Sequence, residues 1–477
     1  MLIILYLKKD YKYKQGMNFQ ETNKIYIIGI EGGGTSALAR LLKSLGKEVV
    51  GVDEGDHFFS PLLKEKEITV YDHFDANHLS DDFDLIIHSS AFTSENNQEV
   101  KIALEKYPEK TITYTKAVAL LFNDYENNVA ICGTHGKTTV SAWLTWVLEQ
   151  GGKKPSAIIG AKSKQLGGNS LVGLSDIFVL EADEYQNKLQ NYNPKMIVLN
   201  NAEYDHPDFF KNETEYQQVF VDFVQRLPED GKLIVNMDNP GAKQVSKQCQ
   251  TKIVDYGKSD DSQFQIRDIK IKNGKQSFVL GNLGEFTISL AGEHNLYNAS
   301  AVILTAKALG LETEEIRKHL QTFLGTERRL EKVGEYQGAI ILDDFAHHPT
   351  EIRATLDGVK QLYPTERIVA VFHPHTFTRT EALFEEFAKS FELLGQNDEL
   401  IILDIYGSAR EKQGGVSSQE LAARIKEVNN EIKAVKNIST IEECEEYLRQ
   451  ERKLSSNDLL LLIGAGDLWK IGKDLAE

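Results

Sequence analysis

The chain has 477 residues with a formal net charge of −17, 41% hydrophobic and 26% charged side chains. At roughly 150 residues per domain this length predicts about three domains, each able to bury its own core. An acidic balance spread along the chain argues against a nucleic-acid scaffold or a membrane-surface binder, both of which need a basic footprint. Three cysteines and no CxxC pair exclude a disulfide framework and give no zinc signature, which points to a reducing, cytoplasmic setting.

The chain opens Met1-Leu-Ile-Ile-Leu-Tyr-Leu7, followed at once by Lys8, Lys9 and Asp10. This apolar run is too short to span a bilayer and lacks the charged n-region of a signal peptide. Residues 1–23 are therefore expected to form an extension ahead of the first strand, with Met17 a candidate start.

From Lys24 short β-branched runs alternate with amphipathic stretches, the pattern of βα units on parallel sheets. Three domains are expected: 24–127, 128–325 and 326–477. The first and third read as Rossmann-like. The central one reads as a P-loop ATPase sheet with an antiparallel edge, because residues 252–292 turn polar and alternating around Asn273-Gly274.

The first glycine cluster, Gly29-Ile-Glu-Gly-Gly-Gly-Thr-Ser-Ala37, follows a strand and opens a helix. Within it Gly32-x-Gly34-x-x-Ala37 fits a dinucleotide fingerprint, and Asp53 ends the next strand where a ribose-binding acid is expected. Gly32, Gly33, Gly34, Thr35 and Ser36 would let a pyrophosphate meet backbone N–H groups at a helix start. Such a loop suits NAD or any other nucleotide diphosphate.

The second cluster, Gly133-Thr-His-Gly-Lys-Thr-Thr139, lies between a strand and a helix, the context of a phosphate-binding loop. Lys137 would reach the β- and γ-phosphates and Thr138 would offer a hydroxyl to Mg²⁺. The loop departs from GxxxxGK[ST] in having Ile131 six residues before Lys137. Downstream, one strand runs into Glu181-Ala-Asp-Glu184 and another into Asn201-Ala-Glu-Tyr-Asp-His206. Ligand chemistry gathers at the carboxyl ends of parallel strands, so Glu181 and His206 are candidates to hold divalent ions beside the phosphates.

Together with Gly292-Glu-His-Asn-Leu-Tyr-Asn298, the Arg328-Arg329 pair and Asp343-Asp-Phe-Ala-His-His-Pro349, these motifs occur in the order found in the Mur ligases, which the chain resembles over residues 24–477. Pro374-His-Thr-Phe-Thr-Arg-Thr380, Asp404-Ile-Tyr-Gly-Ser-Ala-Arg-Glu411 and Gly464-Ala-Gly-Asp467 are most similar to the alanine-adding branch. The resemblance implies an ATP-dependent ligase that joins L-alanine to UDP-N-acetylmuramate through an acyl phosphate in peptidoglycan synthesis. It implies that the first glycine loop with Asp53 binds the UDP-sugar, and that residues Gly133, Thr134, His135, Gly136, Lys137, Thr138 and Thr139 bind ATP.

By the same resemblance Thr138 and Glu181 hold one Mg²⁺ and His206 a second, Asn295 and Asn298 contact adenine, Arg329 reaches the γ-phosphate and Asp344 lies near the ribose. His348, His375 and Arg379 line the amino-acid end, with Lys137, His206, Arg329 and His348 the catalytic group. His347 and His348 have a simple helix-capping role as the alternative. The helix after Asp205-His206 has no lysine of the kind that later-acting branches carbamoylate. The recycling branch, which attaches a whole tripeptide to the same UDP-sugar, shares the EADEY and DDFAHHP spellings and stays a rival, as Phe345 keeps it.

A nucleotide switch protein and a dehydrogenase are further alternatives. The switch leaves the first glycine loop and the C-terminal motifs unused, and the dehydrogenase leaves the phosphate loop unused. The partners expected are the small-molecule substrates, with no nucleic acid and no membrane, in a monomer or homodimer.

Overall fold

The computed structural model describes residue 19 and residues 21–55, 57–272, 274–407 and 414–476. Most of the N-terminal extension, the turn residue Asn273 and residues 408–411 of the Asp404–Glu411 motif lie outside these. The fold is α/β with three sheets. The chain divides into two compact units, one of residues up to 202 with 219–265 and 300–323, the other of 203–218, 266–299 and 324–477.

The first sheet, in the first unit, is wholly parallel. Lys24–Ile28 pairs with Glu48–Val52 on one side and Leu85–His88 on the other. Thr69–Tyr71 and Thr111–Thr113 complete the two edges. The chain thus starts in the middle and winds outward in both directions, which opens a crevice at the carboxyl end of the first strand. There the glycine cluster begins, and the helix Gly33–Ser44 follows. Ile25, Ile27 and Ile28 are fully buried because a parallel sheet is covered on both faces.

The second sheet, also in the first unit, is parallel through Asn127–Cys132, Ile177–Glu181, Met196–Leu199 and Lys232–Asn236. Lys252–Gly257 extends it in parallel, so the polar segment beginning at 252 opens with one more parallel strand before it turns antiparallel. At the other edge Ser156–Ser163 pairs parallel with Ile177–Glu181 and antiparallel with Gly168–Leu171. Sequence patterning did not single out these two edge strands. Their Gly, Ser and Lys content dilutes the alternation on which a strand assignment rests.

In the second unit, Ile266 to Lys272, Lys275–Leu280 and Glu285–Ile288 form an antiparallel meander that buries Phe278 and Phe286 on one face. The third sheet places Asp458–Ile463 between Ala339–Asp344 and Arg367–Phe372, all parallel, with Glu399–Leu403 and Ala434–Ile438 beyond. Glu331–Tyr336 caps the near edge in antiparallel fashion. Apolar clusters fill both faces of this sheet, around Phe372 and Phe387 on one and around Leu460 and Leu462 on the other.

Candidate active site

In the first unit the glycine loop runs from Gly29, whose φ of +78° favours glycine, into the helix start at Gly33. A Cβ on Gly34 would lie 2.6 Å from the Tyr114 hydroxyl, and one on Gly33 3.2 Å from the Phe59 ring. Gly34 is therefore required by the aromatic side chain packed on the loop, and Gly33 is left little room, a reason that the fingerprint spacing does not reveal. The Thr35 hydroxyl donates to the Gly29 carbonyl at 2.6 Å, and Ser36 to that of Gly33 at 3.1 Å. Asp53 accepts from the Glu31 amide at 2.9 Å and the Glu54 amide at 3.1 Å, so its carboxylate fixes the loop.

The phosphate loop lies at the end of Asn127–Cys132. Gly136, at φ +81°, caps the helix Lys137–Gln150, and Gly133, at φ +127°, leaves no room for a Cβ beside the Asn201 carbonyl. Asn201 accepts from the His135 amide at 2.7 Å and donates to its carbonyl at 3.2 Å, which holds Thr134 to Gly136 in shape. Lys137 donates to the Gly133 and Thr134 carbonyls and lies 2.9 Å from the fully buried Glu184 carboxylate. Burial alone would lower the Lys137 ammonium, but the Glu184 and Asp183 carboxylates outweigh it and hold its pKa above the ordinary value.

Thr138 donates to Glu181 at 2.7 Å. Ser141 and the Gly160 amide meet the other Glu181 oxygen at 3.3 and 2.6 Å. A hydroxyl and a carboxylate side by side next to a phosphate loop are hard oxygen donors, the set that suits Mg²⁺. Thr139 occupies the first turn of the same helix. Glu184 was part of a quoted motif, but its partnership with Lys137 was not expected.

The second unit gathers the remaining candidates. His206 follows the strand Met196–Leu199 in a left-handed conformation, φ +57°, with its amide bonded to Asp205 at 2.6 Å. Asp205 is paired with Arg379 at 2.8 Å, both being 5% exposed. Burial opposes the Asp205 charge, yet Arg379, His206 and His348 hold its carboxyl well below the usual range. His375 stands 3.4 Å from Arg379 and stacks on Tyr406 at 5.6 Å, with His347 edge-on to it at 6.3 Å. Burial pushes His347 down to about 4 and His375 down to about 3, so both imidazoles are neutral at neutral pH.

His348 caps the helix Pro349–Leu362, accepting from the Thr350 amide at 3.3 Å, as the capping alternative expected. Asp344 accepts from the Leu330 and Ala346 amides at 2.7 and 2.8 Å and shapes the turn that carries the arginine pair. Arg328 is committed to structure: it bonds Asp343 at 3.1 Å and the Gly464 carbonyl at 2.6 Å. Arg329 lies 3.8 Å from Glu351 and 5.3 Å from the centre of the Phe345 ring. Asn295 donates to the Ala291 carbonyl at 2.6 Å and accepts from Asn298 at 3.0 Å, a buried amide pair at the start of the helix His294–Ala308.

Family models match along the chain: "Mur ligase family, catalytic domain" over residues 24–125, "Mur ligase middle domain" over 131–306 and "Mur ligase, glutamate ligase domain" over 328–466. A UDP-N-acetylmuramate–L-alanine ligase of Desulfitobacterium hafniense is 35% identical across 94% of this chain and 99% of its own. One of Caldanaerobacter subterraneus is 34% identical across 97% and 99%. Among solved structures, UDP-N-acetylmuramate-alanine ligase of Thermotoga maritima superposes with a TM-score of 0.78 at 24% identity, covering 95% of this chain and 98% of that one. A murein peptide ligase of Psychrobacter arcticus gives 0.74 at 24% identity with the same coverage, so these two share the fold. With its three sheets, its phosphate loop and matches that together run from residue 24 to 466, the chain belongs to the Mur ligase family.

Proposed function

We propose that this protein joins L-alanine to UDP-N-acetylmuramate at the expense of ATP, releasing ADP and phosphate, as a cytoplasmic step of peptidoglycan precursor synthesis. The observation that carries the reading is that one compact unit holds two separate nucleotide-type loops, Gly29–Ser36 and Gly133–Thr139, each at the carboxyl end of a parallel strand in its own sheet. A nucleotide switch needs only the second loop. The division of labour follows the chain: residues 24–127 bind the UDP-sugar, 128–325 the ATP, and 326–477 the amino acid.

Amide formation from a free carboxylate is uphill in water, so the lactyl carboxylate first needs a better leaving group. Its oxygen attacks the γ-phosphorus, ADP departs, and an acyl phosphate forms. The neutral amine of L-alanine then attacks the acyl carbon, and phosphate leaves with the former carboxylate oxygen as the tetrahedral intermediate collapses. Such chemistry needs positioning and charge neutralisation more than a protein nucleophile.

Lys137 exchanges Glu184 for phosphate oxygens, and the loop amides of Gly133 to Thr139 cradle the rest. Arg329 neutralises charge on the transferring phosphoryl group, and Asp344 orders the turn that presents it. Asn295 and Asn298 meet adenine. Thr138 and Glu181 would hold one Mg²⁺ and His206 a second, and such ions would supply electrostatic stabilisation of the phosphates. His348, His375 and Arg379 face the amino-acid end, where the neutral His375 imidazole accepts a hydrogen bond from the incoming amine. Gly32, Gly33, Gly34, Thr35, Ser36 and Asp53 form the UDP-sugar loop.

The test is mass spectrometry of the products after incubation with UDP-N-acetylmuramate, ATP, Mg²⁺ and a mixture of free amino acids and tripeptide. A product heavier by one alanine supports the reading. Exclusive tripeptide addition, or ATP hydrolysis indifferent to the UDP-sugar, contradicts it.

A further inference from the structure

The run Gly167-Gly168-Asn169 has no part in the phosphate chemistry, yet it is built to close tolerance. Gly167 and Gly168 take φ values of +69° and +138°, and a Cβ on Gly168 would lie 1.9 Å from Arg40 Nη1. Glycine at 168 is thus demanded twice, by the backbone and by the guanidinium above it. Asn169 follows on the edge strand Gly168–Leu171 of the second sheet and is fully buried.

All of Asn169's side-chain bonds go to the helix that the glycine loop opens. Its Nδ2 donates to the Gly33 carbonyl and to Ser36 Oγ, each at 3.0 Å, and its Oδ1 accepts from Arg40 Nη1 at 3.2 Å. Arg40 Nη2 returns to the second sheet through the Gly167 carbonyl at 2.6 Å. Arg40 is 4% exposed, no carboxylate bonds it among the described residues, and its Nε is buried without a hydrogen-bond partner there. A guanidinium placed this way is costly to bury, and its two bonds are spent on joining the helix to the edge of the second sheet.

We infer that Asn169 and Arg40 are positioning residues for the UDP-sugar loop. The inference rests on the functional reading above, which gives that loop its ligand. The first-turn N–H groups of a helix are the donors that a diphosphate meets, and their aim depends on how the first turn is held. Here the Gly33 carbonyl and the Ser36 hydroxyl are held by a side chain of the neighbouring sheet. Part of the UDP-sugar site's precision therefore resides outside the glycine sequence itself, in Arg40 just beyond it and in Asn169, 133 positions from Ser36.

The test uses the full chain. Calorimetry gives the Kd of UDP-N-acetylmuramate and of ADP, and steady-state assays give KM and kcat, for the wild type, Asn169→Ala and Arg40→Lys. Removing the Asn169 amide leaves the buried Ser36 and Arg40 groups each short of a partner and the half-buried Gly33 carbonyl held by Ser36 alone, which should raise the Kd and KM for the UDP-sugar about tenfold in Asn169→Ala. ADP affinity and kcat at saturation should stay near wild type. Arg40→Lys keeps the charge but cannot span Gly167 and Asn169 together, and should show the same split, less strongly.

Unchanged UDP-sugar affinity in either variant overturns the assignment, as does a parallel loss of ADP affinity, which would mark a general structural role. Should Asn169→Ala fail to fold, Arg40→Lys decides by the same KM-against-kcat criterion. A wild type that binds no UDP-sugar overturns the functional reading and this inference with it, whereas wild-type binding beside an unaffected variant overturns the inference alone.

Discussion

Lys137 and Glu184 form a buried ion pair at 2.9 Å, with side chains 16% and 1% exposed. Phosphate must therefore take the lysine from a carboxylate. Removing one partner of a buried pair typically costs about 3–5 kcal/mol, because the other charge is left without compensation. Glu184→Gln should lower the stability of the nucleotide-free protein by an amount of that order. ATP should restore much of it, since its phosphates neutralise the stranded ammonium. Thermal unfolding with and without nucleotide checks this: the stabilisation by ATP should be larger in the variant than in the wild type.

Lys137→Ala should abolish turnover while leaving UDP-sugar affinity nearly intact, because the two loops belong to different sheets. Calorimetry with the UDP-sugar checks this. A loss of UDP-sugar affinity as large as the loss of activity would contradict the assignment of the loops.

Arg329→Ala should depress kcat by about 10²- to 10³-fold, the usual effect of removing one preorganised donor from developing charge. Its contact with Glu351 is long, at 3.8 Å, so the stability cost should be small by comparison. Steady-state kinetics beside a denaturant titration separates the two effects.

The buried histidines give stability a pH dependence of definite sign. Burial pushes His294 down to about 4, His347 to about 4 and His375 to about 3, whereas an unfolded histidine titrates near 6.5. Between these values the unfolded chain binds more protons than the folded one, so stability rises with pH across the window and falls on acidification. Asp343 works in the opposite direction: burial raises its carboxyl to about 6, and its contribution is present at low pH and lost as pH rises through that value. His88 and His373 are lowered by burial as well, and Glu31, Asp53, Glu99 and Asp344 are raised like Asp343. Because an unfolded histidine takes up its proton inside the window between pH 7 and pH 5, whereas an unfolded carboxyl does so at about pH 4, the histidines dominate there and the unfolding midpoint should be lower at pH 5 than at pH 7, measured by denaturant titration. Replacing His294 with Gln should flatten the profile.

The three sheets and both loops were legible because each depends on residues near one another in the chain. A β-branched run that ends in glycines and opens a helix carries its own meaning, and Gly133 to Thr139 took that shape. The long-range pairs that hold the site residues were not legible. Asp205 and Arg379 are 174 positions apart, and Asn169 and Ser36 133 apart, so no spacing rule links them. Asp53 was read as a ligand contact; that one of its oxygens accepts the Glu31 amide of the glycine loop and the other the amide of its neighbour Glu54 is a further use that only the folded backbone reveals. Neutral His347 and His375 also escaped the sequence, because burial rather than residue type sets their protonation.

The central claim is that the lactyl carboxylate is activated as an acyl phosphate. UDP-N-acetylmuramate labelled with ¹⁸O in that carboxylate tests it most directly, with mass spectrometry of the inorganic phosphate released during turnover with ATP and L-alanine. The account predicts one ¹⁸O in each phosphate, carried over when the amine displaces it. Unlabelled phosphate in the presence of amide product would contradict it.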